Sequence, residues 1–204
     1  MLNVITLDLE GVLVPEIWIE FSQITKIPEL RLTTRDVPDY DVLMQQRIGL
    51  LKDHGLKLKD IQAVIGKMEP MTGAKAFLDA LRAQTQVVIL SDTFTQFAGP
   101  LMEKLGMPTI FCNTLTVDGA GNVTGYRLRQ KDGKRIAVQG FHSMGLKVFA
   151  AGDSYNDTGM LQEADAGFFF CPPDSIVAQF PKIPVTRSYA ELEAALAPHL
   201  QDSQ

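Results

Sequence analysis

Short apolar runs, each followed by polar residues, form the dominant pattern along this chain. Asn3–Leu9 alternates and ends in acidic residues, whereas Val87–Leu90 and Val148–Ala151 are continuous and precede Ser-Asp and Gly-Asp. Thr109–Phe111 and Gly167–Phe170 have the same character. Runs of this length are typical of strands that are buried on both faces of a sheet. The pattern therefore predicts a buried sheet built from these segments.

Helical periodicity separates the apolar runs. The segments with this periodicity are Gly73–Ala83, Gln96–Leu105, Tyr155–Ala164 and Tyr189–Leu196. Gly106 and then Pro108 follow the second of them, which is a normal helix end. Strands that alternate with helices predict an α/β fold with a doubly wound, mostly parallel, Rossmann-like sheet covered on both faces.

Two segments interrupt this alternation. Pro15–Met68 is helical in pattern and contains a well-delimited helix at Asp39–His54. It is too long for a single crossover, so we interpret residues 15–69 as an inserted helical cap on a catalytic core of residues 1–14 and 70–204. In Thr114–Leu128, two β-like stretches flank Asp-Gly-Ala-Gly-Asn, which predicts a β-hairpin.

Polar residues follow several predicted strands or open the next helix. They are Asp8 and Glu10, Ser91 and Asp92, Lys131 and Lys134, and Asp153, Asn156 and Asp157. Because ligands bind beyond the carboxyl ends of parallel strands, we expect these groups to converge on one crevice.

Asp8 and Asp153 predict a metal-assisted phosphate site in that crevice. Two adjacent carboxylates repel each other, and Mg²⁺ removes that penalty by taking carboxylate, water and phosphate oxygens as ligands. A carboxylate can also attack phosphorus to form an acyl phosphate. Ser91 and Lys134 suit the phosphate oxygens, and Lys134 is preferred over Lys131 because it starts the helical run.

The chain resembles the haloacid-dehalogenase superfamily in four motifs that occur in the family's order. They are Asp8–Val14, Ser91, Lys134 and Gly152–Asp157. The resemblance extends over nearly the whole chain to the phosphoserine phosphatases, and in Asp8–Trp18 to a bacterial subgroup described as bifunctional phosphoserine phosphatase and homoserine kinase. It implies Mg²⁺-dependent hydrolysis of L-phosphoserine to L-serine and phosphate. Transfer of the phosphoryl group to homoserine is the alternative.

The same resemblance implies roles for the acidic and basic residues. Asp8 is the nucleophile that becomes phospho-aspartate. Asp8, the backbone carbonyl of Glu10 and Asp153 hold Mg²⁺, and the Glu10 side chain transfers protons. Asp157 supports Lys134 or a metal-bound water.

Further roles concern the substrate. By resemblance, Ser91, Lys134 and Asn156 bind phosphate, Arg47 meets the substrate carboxylate and Glu16 meets the amine. Arg47 also has a plainer interpretation as a solvated side chain that packs by its stem. Glu16 has one as an acid that favours a helix start.

Two positions depart from the family pattern. Glu10 stands where the family has aspartate, and its longer arm changes where a proton is delivered. Slower hydrolysis by water would leave time for another acceptor. Asp92-Thr93 follows Ser91 where phosphoserine phosphatases usually carry Gly-Gly. The Asp92 carboxylate could repel phosphate, bind the substrate amine or point away.

Composition narrows the possible partners. The 204 residues are 46% hydrophobic and 21% charged with a formal charge of −5, and scattered basic residues do not predict a nucleic-acid surface. The apolar runs are too short for membrane spans. The first residues do not resemble a signal peptide, and Cys112 and Cys171 form no ligand motif, so we expect a cytoplasmic protein. The predicted partner is a small phosphorylated amino acid, and the resemblance makes a homodimer plausible.

Two other classes of function compete with the enzyme hypothesis. A signalling receiver domain also carries an acidic cluster, a Ser or Thr and a Lys on a doubly wound sheet. Receivers have about 120 residues and no cap, so the helical segment Pro15–Met68 argues against that class. A catalytically dead family member that only binds a ligand is disfavoured by the complete motif set.

Overall fold

The fold is known from a computed structural model that describes residues 2–33, 36–37 and 39–201. Its strands are β1 (Asn3–Leu7), β2 (Gln86–Phe94), β3 (Thr109–Val117), β4 (Val123–Arg127), β5 (Lys147–Gly152), β6 (Ala166–Phe170) and β7 (Val185–Thr186). Its α-helices are α1 (Ile17–Thr25), α2 (Tyr40–Asp53), α3 (Leu58–Ile65), α4 (Ala74–Arg82), α5 (Thr95–Lys104), α6 (Gly133–Ser143), α7 (Thr158–Glu163), α8 (Asp174–Gln179) and α9 (Tyr189–Gln201). Short 3₁₀ helices cover Pro28–Arg31 and Tyr155–Asp157.

Within the described residues, the strands form one sheet in the order β4-β3-β2-β1-β5-β6-β7. All neighbouring strands are parallel except β3 and β4, which pair antiparallel. The predicted α/β class and mostly parallel sheet are therefore confirmed. The order places β1 at the centre, so the residues after it lie between those after β2 and β5.

Alternating side chains of the central strands bury both faces of the sheet. Ile5 and Leu7 belong to a cluster completed by α4, α5 and α9, whereas Val4 belongs to a second cluster completed by α6, α7 and α8. This explains why strands such as β5 and β6 are continuous apolar runs rather than alternating ones.

Several predicted boundaries were wrong in instructive ways. β2 continues through Ser91, Asp92 and Thr93 to Phe94, because a register shift after Leu90 keeps the chain extended beside β3. β3 does not stop at Phe111 but continues as the first strand of the hairpin. The short elements α8 and β7 were not predicted.

The segment between β1 and α4 is helical, as expected, and contains α1, α2 and α3. Thr34, Arg35 and Pro38 of the predicted cap lie outside the described residues, as do residue 1 and residues 202–204 of the predicted core. Buried side chains of the insert, among them Phe21, Met44 and Ile61, belong to the same apolar cluster as Leu7 of the sheet. The division into residues 15–69 and the remainder stays a prediction.

The β3–β4 hairpin holds the insert from the side. At its tip, Lys57 Nζ donates to the Ala120 carbonyl at 2.9 Å, and the Leu58 amide donates to the Gly121 carbonyl at 3.0 Å. On β4, the Tyr126 hydroxyl donates to Asp41 Oδ1 at 2.7 Å. The helical insert is thus bonded to the hairpin as well as packed on the sheet.

Candidate active site

A cavity of about 330 Å³ lies at the carboxyl ends of β1, β2 and β5 and is closed on one side by the helical insert. The core contributes carboxylates and hydroxyls to its wall, and the insert contributes Glu16, Trp18, Tyr40 and Arg47. Most of the polar residues expected to converge line this cavity: Asp8, Glu10, Ser91, Asp92, Asp153 and Asn156. Lys134 and Asp157 lie directly behind Asp8, whereas Lys131 is not part of the site.

Lys134 joins two buried carboxylates on the core side of the site. Its Nζ lies 2.9 Å from Asp8 Oδ2 and 2.7 Å from Asp157 Oδ1. Burial by itself would lower the pKa of Lys134, but Asp157 and Asp8 outweigh it and raise that pKa well above its usual value. Lys134 therefore stays charged. Lys131, the competing candidate, is exposed.

Asp157 is held by backbone as well as by lysine. Its Oδ2 accepts from the amide of Asp153 at 2.9 Å and from the amide of Ser154 at 3.0 Å. A Cβ on Gly152 would collide with the Asp157 side chain, so only glycine allows this loop to close. Because both of its oxygens are engaged, Asp157 fixes the loop and Lys134.

Asp8, Asp153 and Asp157 form an acidic cluster in which one ligand oxygen from each lies within 4.8 Å of the others. Burial raises the pKa of Asp8 well above its ordinary value, the charge of Asp157 adds to this, and Lys134 opposes it. A divalent cation would favour the ionised carboxylates and takes oxygen ligands. Asp8 and Asp153 line the cavity and Asp157 does not, so Asp8 and Asp153 are the side chains that fit a cation there. Gly11, at φ +78°, makes room, since a Cβ there would collide with the Asp153 carboxylate.

Ser91 is buried beside Asp8's strand end, and its hydroxyl oxygen accepts a hydrogen bond from the Thr93 amide at 3.1 Å. This contact occupies the oxygen and leaves the Ser91 hydrogen to donate into the cavity. The hydroxyl of Thr93 also lines the cavity and has no hydrogen-bond partner among the described residues.

Asp92 does not point away from the site. Its Oδ2 accepts from Asn156 Nδ2 at 2.8 Å and lies 3.9 Å from Lys134 Nζ. Its backbone carbonyl accepts from the Tyr40 hydroxyl of the insert at 3.3 Å. Asp92 therefore connects the fourth motif, the lysine and the helical insert.

Glu10 faces the insert rather than the acidic cluster. Its Oε2 accepts from the Ile17 amide at the start of α1, at 2.8 Å. Burial raises the pKa of Glu10 to about 8, and nearby Glu16 adds to the shift. Glu16 precedes α1 and makes no side-chain cap bond, so the structure gives it no helix-capping contact.

Arg47 is buried, which contradicts its interpretation as a solvated side chain. Its guanidinium stacks over Trp18 at 4.5 Å and donates to the Leu32 carbonyl at 2.8 Å. Its Nε has no hydrogen-bond partner in the described part of the chain. Burial lowers the pKa of Arg47 to about 10, against the charges of Glu10, Tyr40 and Glu16. This is an incompletely bonded cation on the cavity wall.

Sequence reasoning missed several cavity residues as contributors to the site, among them the polar residues Tyr40 and Thr93. For Thr93, the available signal is the departure from the family pattern of Gly-Gly after Ser91. Tyr40 lies one residue after the predicted helix start at Asp39, and nothing in its sequence context distinguishes it from a surface residue.

Comparison with known proteins places the chain in a family. The model of the haloacid dehalogenase-like hydrolases matches residues 40–162. A phosphoserine phosphatase of Pseudomonas syringae is 57% identical over 92% of this chain and 79% of its own length. The chain is a haloacid dehalogenase-like hydrolase of the phosphoserine phosphatase family. Phosphoserine phosphatase ThrH of Pseudomonas aeruginosa is 54% identical over 94% of both chains.

Solved structures of the phosphoserine phosphatase family share the fold. One described as phosphoserine phosphatase in apo form superposes with a TM-score of 0.77 at 22% identity and covers 97% of this chain and 98% of its own. Another, described as a phospho-aspartyl intermediate analogue of phosphoserine phosphatase, has a TM-score of 0.74 at 22% identity over 95% and 98% of the two chains. None of the helices described in the present chain is long and apolar enough to cross a membrane.

Proposed function

We propose that this protein is a Mg²⁺-dependent phosphatase that hydrolyses L-phosphoserine to L-serine and phosphate through a phospho-aspartate at Asp8. The observation that supports this most directly is the buried Asp8 carboxylate, which lines the cavity beside Asp153 and is paired with Lys134. Family membership and two relatives named phosphoserine phosphatase, at 57% and 54% identity, support the substrate.

In the first step, a carboxylate oxygen of Asp8 attacks phosphorus, and the bond from phosphorus to the serine oxygen breaks. Glu10, one of whose oxygens is held by the Ile17 amide, gives a proton to the leaving serine oxygen. A water then attacks the phosphorus of the phospho-aspartate, giving its proton to Glu10 and releasing phosphate and Asp8.

The phosphate oxygens are bound by Ser91, Lys134 and Asn156. The Ser91 hydrogen is free to donate because its oxygen already accepts from the Thr93 amide. Lys134 carries a permanent charge that stabilises negative charge developing in the transition state. Mg²⁺ held by Asp8, Asp153 and the Glu10 carbonyl would supply Lewis-acid neutralisation of the phosphoryl oxygens.

The amino-acid part of the substrate lies against the helical insert. Arg47 lines the cavity, and its Nε has no hydrogen-bond partner in the part of the chain that the structure describes. A substrate carboxylate supplies the guanidinium with a negatively charged acceptor. Glu16, on the same wall, suits the substrate ammonium. Both groups of a free amino acid thus have an oppositely charged partner in the cavity.

Release of inorganic phosphate from L-phosphoserine, with and without Mg²⁺, tests this proposal. We expect turnover that requires the metal. Asp8→Asn should reduce it by at least about a thousandfold, because the nucleophile is lost, with the fold retained by circular dichroism. Asp79→Asn, which removes an exposed carboxylate on α4, is the matched control. Failure of the wild-type enzyme to release phosphate, or full activity of Asp8→Asn, would contradict the proposal.

A second candidate is transfer of the phosphoryl group to homoserine in place of water. Glu10 favours it, because one carboxylate oxygen accepts from the Ile17 amide at the start of α1 and the side chain is one methylene longer than that of the usual aspartate. Incubation of phosphoserine with homoserine should then yield phosphohomoserine, measured by mass spectrometry. Inorganic phosphate as the sole phosphorylated product would exclude this transfer.

The cytoplasmic location and the homodimer remain predictions. Fractionation of cells and the molar mass by light scattering, respectively, would test them.

A further inference from the structure

Asp92 brings a carboxylate into the space assigned to phosphate. The same oxygen, Asp92 Oδ2, lies 2.8 Å from Asn156 Nδ2 and 3.9 Å from Lys134 Nζ. Those two nitrogens belong to residues that the proposed function assigns to the phosphate group. The phosphoserine phosphatase pattern that the sequence resembles has glycine at this position, so the arrangement depends on the side chain of Asp92.

A carboxylate oxygen and a phosphate oxygen make equivalent contacts with such donors. Both accept hydrogen bonds from an amide NH₂ and attract an ammonium group, and both bring negative charge. An oxygen between the Asn156 amide and the Lys134 ammonium therefore stands where an oxygen of bound phosphate would stand. The site therefore holds an anion from its own chain.

The Asp92 carboxylate and a bound phosphate cannot share these donors. A carboxylate and a phosphate that contact the same two nitrogens would lie within a few ångströms of each other, and in a partly desolvated site two such anions repel each other strongly. The side chain of Asp92 is 44% exposed, so it can turn into water without a change in the backbone. Its backbone is held in place, because the carbonyl accepts from Tyr40 at 3.3 Å and from Asn113 Nδ2 at 3.1 Å.

We propose that the Asp92 carboxylate occupies the phosphate position of the free enzyme and competes with inorganic phosphate for Asn156 and Lys134. This inference rests on the proposed function, which assigns those residues to phosphate. Phosphoserine regains affinity through Arg47 and Glu16, whereas inorganic phosphate has no amino-acid part. Asp92 therefore weakens the binding of the released product and favours its departure.

Calorimetric titration with inorganic phosphate in the presence of Mg²⁺ tests the competition without any turnover. We expect Asp92→Asn and Asp92→Ala to bind phosphate roughly tenfold more tightly than the wild type, because each removes a negative charge within a few ångströms of the ligand. Asp79→Asn removes a similarly exposed carboxylate, 50% exposed, on α4 and should leave phosphate affinity unchanged.

A supporting role of Asp92 in phosphate binding predicts the opposite change in phosphate affinity. If Asp92 instead positions Asn156 for phosphate, both substitutions weaken phosphate binding. Unchanged or weaker binding by either variant overturns the competition, even in an enzyme that hydrolyses phosphoserine. Tighter binding by both variants, in an enzyme without phosphoserine hydrolysis, supports the competition and contradicts only the proposed substrate.

Discussion

The two walls of the cavity differ in how completely their charged groups are bonded. On the core wall, Lys134 contacts both Asp8 and Asp157 directly, and backbone amides fix Asp157. On the insert wall, Arg47 is buried over Trp18, and its Nε has no hydrogen-bond partner among the described residues. Charged groups that already bond to one another are held in a fixed geometry, which suits catalysis. A buried donor without a partner can instead form a hydrogen bond with a ligand. The core wall thus suits chemistry, and the insert wall suits recognition.

The strongest test of the core wall is Lys134→Met. Loss of the ammonium leaves Asp8 and Asp157 as unpaired buried carboxylates, so the metal-free protein should lose about 3 kcal/mol of unfolding free energy. Phosphatase activity should fall by at least about a thousandfold. Urea denaturation and phosphate release measure the two effects. Lys131→Met, which changes an exposed lysine three residues earlier, should alter neither.

Arg47→Ala tests the insert wall. We expect kcat/KM for phosphoserine to fall by about a hundredfold, because a buried charge pair with the substrate carboxylate is lost, while calorimetry shows the same affinity for inorganic phosphate. Arg47→Lys keeps the charge without the planar fork and should be intermediate. If Arg47→Ala also lost affinity for inorganic phosphate, the insert wall would not bind the amino-acid part of the substrate alone, as proposed.

Glu10 lies between the walls and makes stability depend on pH. Its pKa is raised from the model-compound value of 4.5 to about 8, so folding favours its protonated form. Its contribution is fully present below the unfolded pKa and is lost as pH rises through about 8. Urea denaturation of the chelator-treated protein should show that the wild type loses stability relative to Glu10→Gln over this range. Parallel pH profiles for the two proteins would argue against a raised pKa.

The smallest expected effect concerns the hairpin that holds the insert. Tyr126→Phe removes the hydrogen bond to Asp41, which is partly exposed, and should cost up to about 1 kcal/mol of unfolding free energy. Phosphate affinity should not change, because Tyr126 does not line the cavity. A modest rise in KM for phosphoserine would show that the hairpin helps to position the recognition wall. Thr124→Val, also on β4, is the control for a general loss of hairpin stability.

The contrast between the walls also explains what could be predicted from the sequence. Asp8, Lys134 and Asp157 follow strands or open helices, so topology alone brings them together. Lys134 could be preferred over Lys131 for the phosphate role because Lys134 lies at the start of a predicted helix. The bonding of Arg47 could not be predicted, since it depends on Trp18 and Leu32, which approach from α1 and from the loop before α2.

Strand ends were predicted less well than strand positions, for a related reason. Polar residues after Leu90 were expected to end β2, yet pairing with β3 keeps them extended through Phe94. β3 changes from a parallel to an antiparallel partner within one continuous strand, and hydrophobic pattern carries no information about that change. The segments α8 and β7 are too short to show a period.

Gly11 and Gly152 can help to identify active sites of this kind in other sequences. A methyl group at either position would strike the carboxylate of Asp153 or Asp157, so the acidic residues alone do not define a working site. In surveys of sequences with the same four motifs, a larger residue at either glycine would single out chains whose loops cannot close in this way. Such chains are where inactive members, or members with a different chemistry, should be sought first.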